Sequence, residues 1–457
     1  MGRASRISRR GPINPVARPS VVSLVHLGCA RNLIDSEVVL ARLAEQGLVV
    51  SGDERAADVV VLNTCSFIGP AREESEAQIR RLIRRKRKRE LRAVVVAGCL
   101  VQRYQHTLEK RFPEVDLWAE ISDGVELARR VQGLGRGQVG PRYLAAERPG
   151  AEREGARLLA TPGSYAYMRI SHGCDHTCSF CAIPAIRGPH RSKRPEALEQ
   201  EARELIAQGV RELVLVAEDL TAWGRDLGLE LPALVEKLAD LPGEHRLRLM
   251  YAYPNRFPWE LTRLLREHPR VLRYLDIPVQ HAATPVLRSM KRAGSGEQVR
   301  AILDRLLEEV PGLTLRSTLL LGFPGETDAD AEAAVDFVRR YRIGRLGAFA
   351  YSPEEGTSSY DLEGRVEDQV AKARVAAVLA ARDEVLAAAQ RARIGSRIEI
   401  LVDESHATRA VGRPDSDAPE VDLIATLEGS RAAVGARVKA LVVDVDAEHN
   451  LICREEA

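Results

Sequence analysis

AYMRISHGCDHTCSFC, residues 166–181, runs an apolar, strand-like stretch straight into three cysteines spaced C-x3-C-x2-C: Cys174, Cys178 and Cys181. Soft thiolates in such a group suit iron–sulfur clusters or zinc. A structural zinc site completes four ligands, often as paired C-x2-C motifs, and no partner pair accompanies this one. An iron–sulfur cluster also normally takes four protein ligands, so three would leave one iron open for chemistry. A second set lies upstream: Cys29, Cys65 and Cys99 each directly follow an apolar run, in VVSLVHLGC, DVVVLNTC and AVVVAGC. Two incompletely ligated sites in one chain point to a catalyst with two reactive iron centres.

The 166–170 stretch opens a series of six candidate strands, AYMRI, ELVLVAE, LRLMYAY, YLDIPV, LRSTLLLGF and GAFAYS. Helical stretches such as PEALEQEARELIAQGV and DADAEAAVDFVRRY lie between them. This alternation predicts an α/β fold, an open or partial (βα)6 barrel over 164–390 with its chemistry at the C-terminal strand ends. Upstream, 20–135 shows three β-then-α units, which predict a parallel sheet with covering helices. Loops that follow parallel strands share one edge of the sheet, so Cys29, Cys65 and Cys99 are expected to converge. The bland alternative, three unrelated buried thiols, requires the same placement three times by coincidence. The Gly-, Pro-, Arg- and Glu-rich stretch 136–163 reads as a linker. Short strands split by turns over 391–457 predict a small antiparallel β-barrel, with Cys453 in its core.

The 457 residues suffice for several domains. A net charge of +2 provides no global field for nucleic acid. Seven unevenly spaced cysteines fit a reducing cytoplasm better than a disulfide framework. No apolar run approaches the ~20 residues of a membrane span. Residues 1–19 read as a disordered basic extension. Followed by VVSLVHLGCA, it superficially looks like a lipoprotein signal ending at Cys29. The apolar run is short and holds His26, and a helix-like pattern continues beyond it, so lipidation is not expected.

The C-x3-C-x2-C motif with Phe180 before its last cysteine resembles the radical S-adenosylmethionine (SAM) superfamily. The resemblance extends over nearly the whole chain to the methylthiotransferases. LGCARNLIDSE, NTCSFI and AGCLVQRY match the family's N-terminal domain; GCDHTCSFCAIPAIRG, YLDIPVQHA, GFPGET and AYSPEEGT match its radical SAM domain; the C-terminal strands match its TRAM domain. LGCARNLIDSE and SDAPEVD are similar to the RimO-type branch, which modifies an aspartate of a small-subunit ribosomal protein. The resemblance implies two 4Fe-4S clusters, one held by Cys174, Cys178 and Cys181 and one by Cys29, Cys65 and Cys99. The first would reduce SAM to a 5′-deoxyadenosyl radical that takes hydrogen from the aspartate β-carbon; the second would present sulfur, methylated by a further SAM. An electron donor such as flavodoxin or ferredoxin is implied. Glu218 stands where the family often has Gln, Leu423 where it has Gly, and Ser317 where it has Thr.

Other site residues follow from position. Phe180, Glu218, Asp219, Gln280 and Arg316 are candidate SAM or substrate contacts. For Asp219 the alternative is a helix N-cap, and for Arg316 a salt bridge. His281 and the turn glycines Gly322 and Gly325 are weaker candidates. Residues 391–457 hold nine Lys/Arg and thirteen Asp/Glu, a net −4. That suits a basic ribosomal protein better than RNA. The basic run RRLIRRKRKRELR (80–92) offers a possible ribosomal RNA contact, against the plainer reading of a solvated helix face. Two rival functions remain: a tRNA methylthiotransferase acting on a modified adenosine, and a non-catalytic iron–sulfur scaffold or RNA-binding protein.

Overall fold

The computed structural model describes residues 19–121, 124–146, 155–292 and 294–456. The basic extension lies outside these residues except for position 19, as does 147–154 of the predicted linker.

The Val-rich runs Val59–Thr64 and Ala93–Gly98 are buried at every position, as central strands covered on both faces must be. They sit in an all-parallel sheet ordered Val49–Val50, Val21–His26, Val59–Thr64, Ala93–Gly98, Leu117–Ala119, Tyr143–Leu144. Helices Ala30–Glu45, Gly69–Arg87 and Val125–Gly135 accompany the strands. Two expectations need correction. The third helical stretch is two short helices, Cys99–Tyr104 and Thr107–Arg111, broken at Gln105 where φ is 45°. The sixth strand, Tyr143–Leu144, comes from the predicted linker; two residues at a sheet edge are too few to show through Gly- and Pro-rich surroundings.

The second sheet holds all six predicted strands, parallel and in chain order: Tyr165–Arg169, Glu212–Val216, Arg246–Leu249, Val271–Asp276, Thr314–Leu321 and Arg345–Ala350. The first and last strands do not pair, so the barrel is open. Alternation along each strand divides its faces. Ala166, Met168, Leu213, Leu215, Leu247 and Leu249 join the large core formed with the helices. Tyr165, Tyr167, Val214, Val216, Met250 and Tyr274 form a separate cluster with Leu33 and Ile34 of the first domain and Ala418 of the third. All three domains therefore meet on one sheet face.

Residues 397–455 close a five-stranded barrel around a core that includes the fully buried Cys453. It is not wholly antiparallel, because Ala425–Glu428 and Leu451–Glu455 run parallel. Part of its acidic set faces the second sheet, while Glu404, Glu428, Asp444, Asp446, Glu448 and Glu455 are exposed. Asp415 pairs with Arg246 and Arg437, Asp417 with Arg345, and Asp422 with Arg316. Glu420 accepts from Tyr165 and Tyr167. This part of the negative charge serves domain packing and is not available to a partner. The basic run is likewise engaged locally: Arg81 and Arg85 pair with Glu54, Lys86 with Asp116, and Arg87 with Glu114. No helix among the described residues is long and apolar enough to cross a membrane.

Candidate active site at the domain junction

The first barrel strand leads through Ser171–His172, paired with Arg191–Ser192, into the cysteine loop. Backbone bonds hang the loop from its surroundings: Cys174 N donates to Gly188 O at 3.1 Å, and Ser179 N to Met290 O at 2.9 Å. Cys174, Cys178 and Cys181 all line one cavity. Phe180, Glu218, Tyr251, Tyr253, Gln280 and Arg292 add barrel walls, and Arg31 and Phe67 reach in from the first domain. Apolar walls with a few polar groups suit a small cofactor. Burial pushes the Cys174 thiol up to about 12 and Cys181 up to about 11.

The cavity walls are braced. The His176 ring stacks on Tyr253 with centroids 3.7 Å apart. Arg292 lies over the same ring at 4.0 Å and reaches Cys178 Sγ at 3.5 Å. His176 Nε2 meets Asp219 Oδ2 at 2.7 Å, while Asp219 Oδ1 accepts from Thr221 N and Oγ1. Burial alone would raise the Asp219 carboxyl, but bonds from His176 and Thr221 outweigh it and hold it low. Glu218 stands 3.9 Å from Arg31, and its buried Oε2 has no hydrogen-bond partner in the protein. Such an orphan on a cavity wall is a natural place for a ligand donor. Tyr251 and Gln280, also on the wall, have φ of 65° and 73°. Non-glycine residues held in this region store strain, and such strain clusters at functional sites.

Cys29, Cys65 and Cys99 each follow a central strand of the first sheet, on one edge. Cys29 N-caps the helix Ala30–Glu45, and Cys99 opens the helix Cys99–Tyr104. The approach is close enough to demand glycine. A Cβ on Gly28, at φ 106°, would sit 3.0 Å from Cys65 Cβ. One on Gly98, at φ 99°, would strike Asn63 Oδ1 and come within 2.8 Å of Thr64 O. Burial pushes Cys65 up to about 11 and also raises Cys99. At Cys29 burial acts the same way, but Arg31 and Arg187 outweigh it and hold the thiol below its ordinary value.

Glu354, from YSPEEGT, ties this edge to the barrel. It is 1% exposed and accepts from Gly69 N at 2.8 Å, from Arg103 Nη1 at 2.8 Å and from Arg72. Gly69 closes the loop after Cys65, and Arg103 lies on the helix that Cys99 opens.

The cysteines supply the soft donors an iron–sulfur cluster needs. Among the described residues, no three Cys, His, Asp or Glu gather tightly enough to hold a single metal ion. Three thiolates that leave a fourth position open suit a cluster that binds a cofactor better than a closed structural zinc site.

The sequence-predicted residues divide. Phe180, Glu218 and Gln280 line the cavity with the three loop cysteines. Asp219 stands one step behind, capping the 3-10 turn Leu220–Ala222 while holding His176. Arg316 is committed to Asp276 at 3.4 Å and Asp422 at 3.3 Å, a largely buried pairing outside the cavity lining. His281 is fully buried, with Nδ1 accepting from Ala283 N. Gly322 and Gly325 shape a turn in which Gly322 N donates to the Glu326 carboxylate and Gly325 N to Gly364 O. Sequence reasoning missed Arg31, His176, Tyr251, Tyr253 and Arg292. Arg31 sits two residues after Cys29, and His176 lies inside the cysteine motif; the others carry no local signal.

Comparison with known proteins agrees with this geometry. Residues 21–120 match the family described as "Uncharacterized protein family UPF0004", 168–338 the radical SAM superfamily, and 394–454 the TRAM domain. A protein of Trichlorobacter lovleyi named "Ribosomal protein uS12 methylthiotransferase RimO" is 39% identical, covering 93% of this chain and 95% of its own. One of Porphyromonas gingivalis with the same name is 40% identical, covering 89% and 91%. Among solved structures, the radical SAM methyltransferase TsrM from Kitasatospora setae matches with a TM-score of 0.53. It is 18% identical, over 75% of this chain and 77% of that one, a likeness of fold. Membership of the radical SAM superfamily brings SAM and a 4Fe-4S cluster as cofactors. The chain belongs to the radical SAM methylthiotransferases, in the RimO family of its full-length relatives.

Proposed function

We propose that this chain adds a methylthio group to the β-carbon of an aspartate in ribosomal protein uS12, using one 4Fe-4S cluster on Cys174, Cys178 and Cys181 and a second on Cys29, Cys65 and Cys99. The observation that carries this reading is the junction itself. The loop cysteines open onto a cavity that Arg31 and Phe67 also line, and these residues flank Cys29 and Cys65. This supports a proposed radical site and a proposed sulfur site that border one another. Bound there, the clusters and SAM supply the one-electron chemistry that removes hydrogen from an unactivated carbon and replaces it with sulfur.

The chain's own residues bind and orient. Phe180 and Tyr253 provide apolar walls for SAM. The orphaned Glu218 Oε2 accepts from a cationic donor of the cofactor, and Gln280 supplies a neutral polar contact. Asp219 acts through His176, keeping that ring flat against Tyr253. Arg316 serves the junction with the C-terminal barrel rather than the cofactor. A flavodoxin- or ferredoxin-type donor delivers electrons, and the work takes place in the cytoplasm. The exposed Arg84, Lys88 and Arg89 are the proposed ribosomal RNA contact.

The test is incubation of reconstituted protein with SAM, reductant and uS12, followed by peptide mass analysis. A methylthio increment on one aspartate is expected, together with 5′-deoxyadenosine. An increment on tRNA adenosine with none on uS12 would overturn the substrate, and absence of 5′-deoxyadenosine would overturn radical catalysis.

A further inference from the structure

Arg187 belongs to the barrel but serves the other cysteine set. It ends the short helix Ile183–Arg187, which starts two residues after Cys181. Its Nη2 donates to Cys99 Sγ at 3.3 Å, and its Nη1 to Asp35 Oδ2 at 2.7 Å. Asp35 lies on the helix that Cys29 caps. The other Asp35 oxygen accepts from Arg169 Nη1 at 2.7 Å, on the first barrel strand. Arg169, Arg187 and Asp35 are all buried.

Two features distinguish this group from an ordinary ion pair. The first is the donor: two buried guanidinium groups share the Asp35 carboxylate, and the Arg187 nitrogen not used there donates to the Cys99 sulfur. The second is direction. The planar guanidinium is pinned by Asp35 at one nitrogen, so the other nitrogen is aimed at the sulfur without freedom to turn.

We infer that Arg187 is a positioning residue for the dispersed cysteines: it donates a fixed hydrogen bond to the Cys99 sulfur and raises the reduction potential of the cluster held there. The inference rests on the two-cluster reading proposed above. Its physical basis is that hydrogen bonds to ligand sulfur withdraw electron density and move a cluster's potential upward. It also couples the two sites, since Arg187 lies six residues after Cys181 and hydrogen-bonds Cys99.

The experiment uses the full chain with Cys174→Ala, Cys178→Ala and Cys181→Ala together, so that only the second cluster can form. Iron content and an EPR-monitored redox titration are compared with and without Arg187→Gln and Arg187→Lys. A full complement, about four irons per chain, is expected before Arg187 is changed. The expected result is a shift to lower potential with altered EPR g-values in Arg187→Gln. Arg187→Lys, which keeps the charge but loses the fork, should shift less. Loss of iron from Arg187→Gln but not from Arg187→Lys would equally support a cationic donor at the Cys99 sulfur that holds the cluster. Unchanged potentials in both variants with iron retained would overturn the role of Arg187 and leave the second cluster standing. No iron in the triple-alanine parent would overturn the two-cluster reading and the inference with it.

Discussion

The two cysteine sets solve the same problem by opposite means. Cys174, Cys178 and Cys181 are neighbours in the chain, and one loop delivers them to one cavity. Cys29, Cys65 and Cys99 are neighbours only because three parallel strands end on the same sheet edge. Before Cys174 the loop set also uses a tight glycine, Gly173 at φ 68°, where a Cβ would strike Pro189 O; the difference in strain lies in the wall the loop faces. Beside the dispersed set the left-handed positions belong to Gly28 and Gly98, where a side chain has no room. On the cavity wall facing the loop set they belong to Tyr251 and Gln280, whose side chains line the cavity. Glycine serves where only the turn matters, and strain is retained where the side chain is needed.

The sharpest way to break this comparison is to remove one thiol from each set. Cys174→Ala should abolish both 5′-deoxyadenosine formation and methylthio transfer. Cys99→Ala should abolish transfer to background while SAM cleavage continues. Paired chromatography of the nucleoside and mass analysis of uS12 read both outcomes. Loss of SAM cleavage in Cys99→Ala would mean that the sets do not act separately.

The junction should matter more to the dispersed set than to the loop. Glu354→Ala strands Arg72 and Arg103 beside a buried gap and frees the loops after Cys65 and Cys99. Breaking a buried pair from one side costs roughly 3–5 kcal/mol, visible as a lowered denaturant midpoint. Methylthio yield should fall further than 5′-deoxyadenosine yield; equal falls would place Glu354 in general folding alone.

The same contrast explains what the sequence made legible. The loop motif and six apolar strands are local patterns, and the sheet they predict is present strand for strand. Convergence of the dispersed cysteines was readable as well, because parallel topology puts successive loops on one edge. The cavity's opposite wall was not. Tyr253 follows the third barrel strand and Arg292 the helix after the fourth, and only the curvature of the sheet brings them to the His176 side of the cavity. Arg316 misled for a related reason: its partners Asp276 and Asp422 come from different domains, so no local pattern shows that its charge is already matched. Asp417 and Asp422 of the C-terminal barrel, paired with Arg345 and Arg316, were hidden in the same way.

A third junction lies away from both cysteine sets and serves as their control. Glu212, fully buried, is bonded to Arg248 at 2.7 Å and to Arg413 of the C-terminal barrel at 3.3 Å. Burial alone would raise its carboxyl, but the two arginines outweigh it and hold it down at about 2, against 4.5 ordinarily. A depressed folded value favours the ionised form, so this stability is complete above about 4.5 and is lost as pH falls toward about 2. Its size is on the order of 3 kcal/mol. Denaturant midpoints across that window should decline less steeply in Glu212→Gln than in the parent, from a lower starting stability. Parallel slopes would show that the arginines do not set the Glu212 carboxyl.

The smallest effect tests the claim about strain itself. A left-handed conformation costs a non-glycine residue about 1–2 kcal/mol, and Gln280 bears it at φ 73°. Gln280→Gly removes that cost but adds unfolded-state freedom of roughly 0.5–1 kcal/mol. The net expectation is stabilisation of about 0.5 kcal/mol, together with a higher KM for SAM because the cavity loses a polar contact. Stability and affinity should therefore move in opposite directions at one residue. If Gln280→Gly gains stability with KM unchanged, the strain holds nothing the cofactor uses. If it loses stability, the side chain supports the wall rather than the ligand, and the contrast with Gly28 and Gly98 fails.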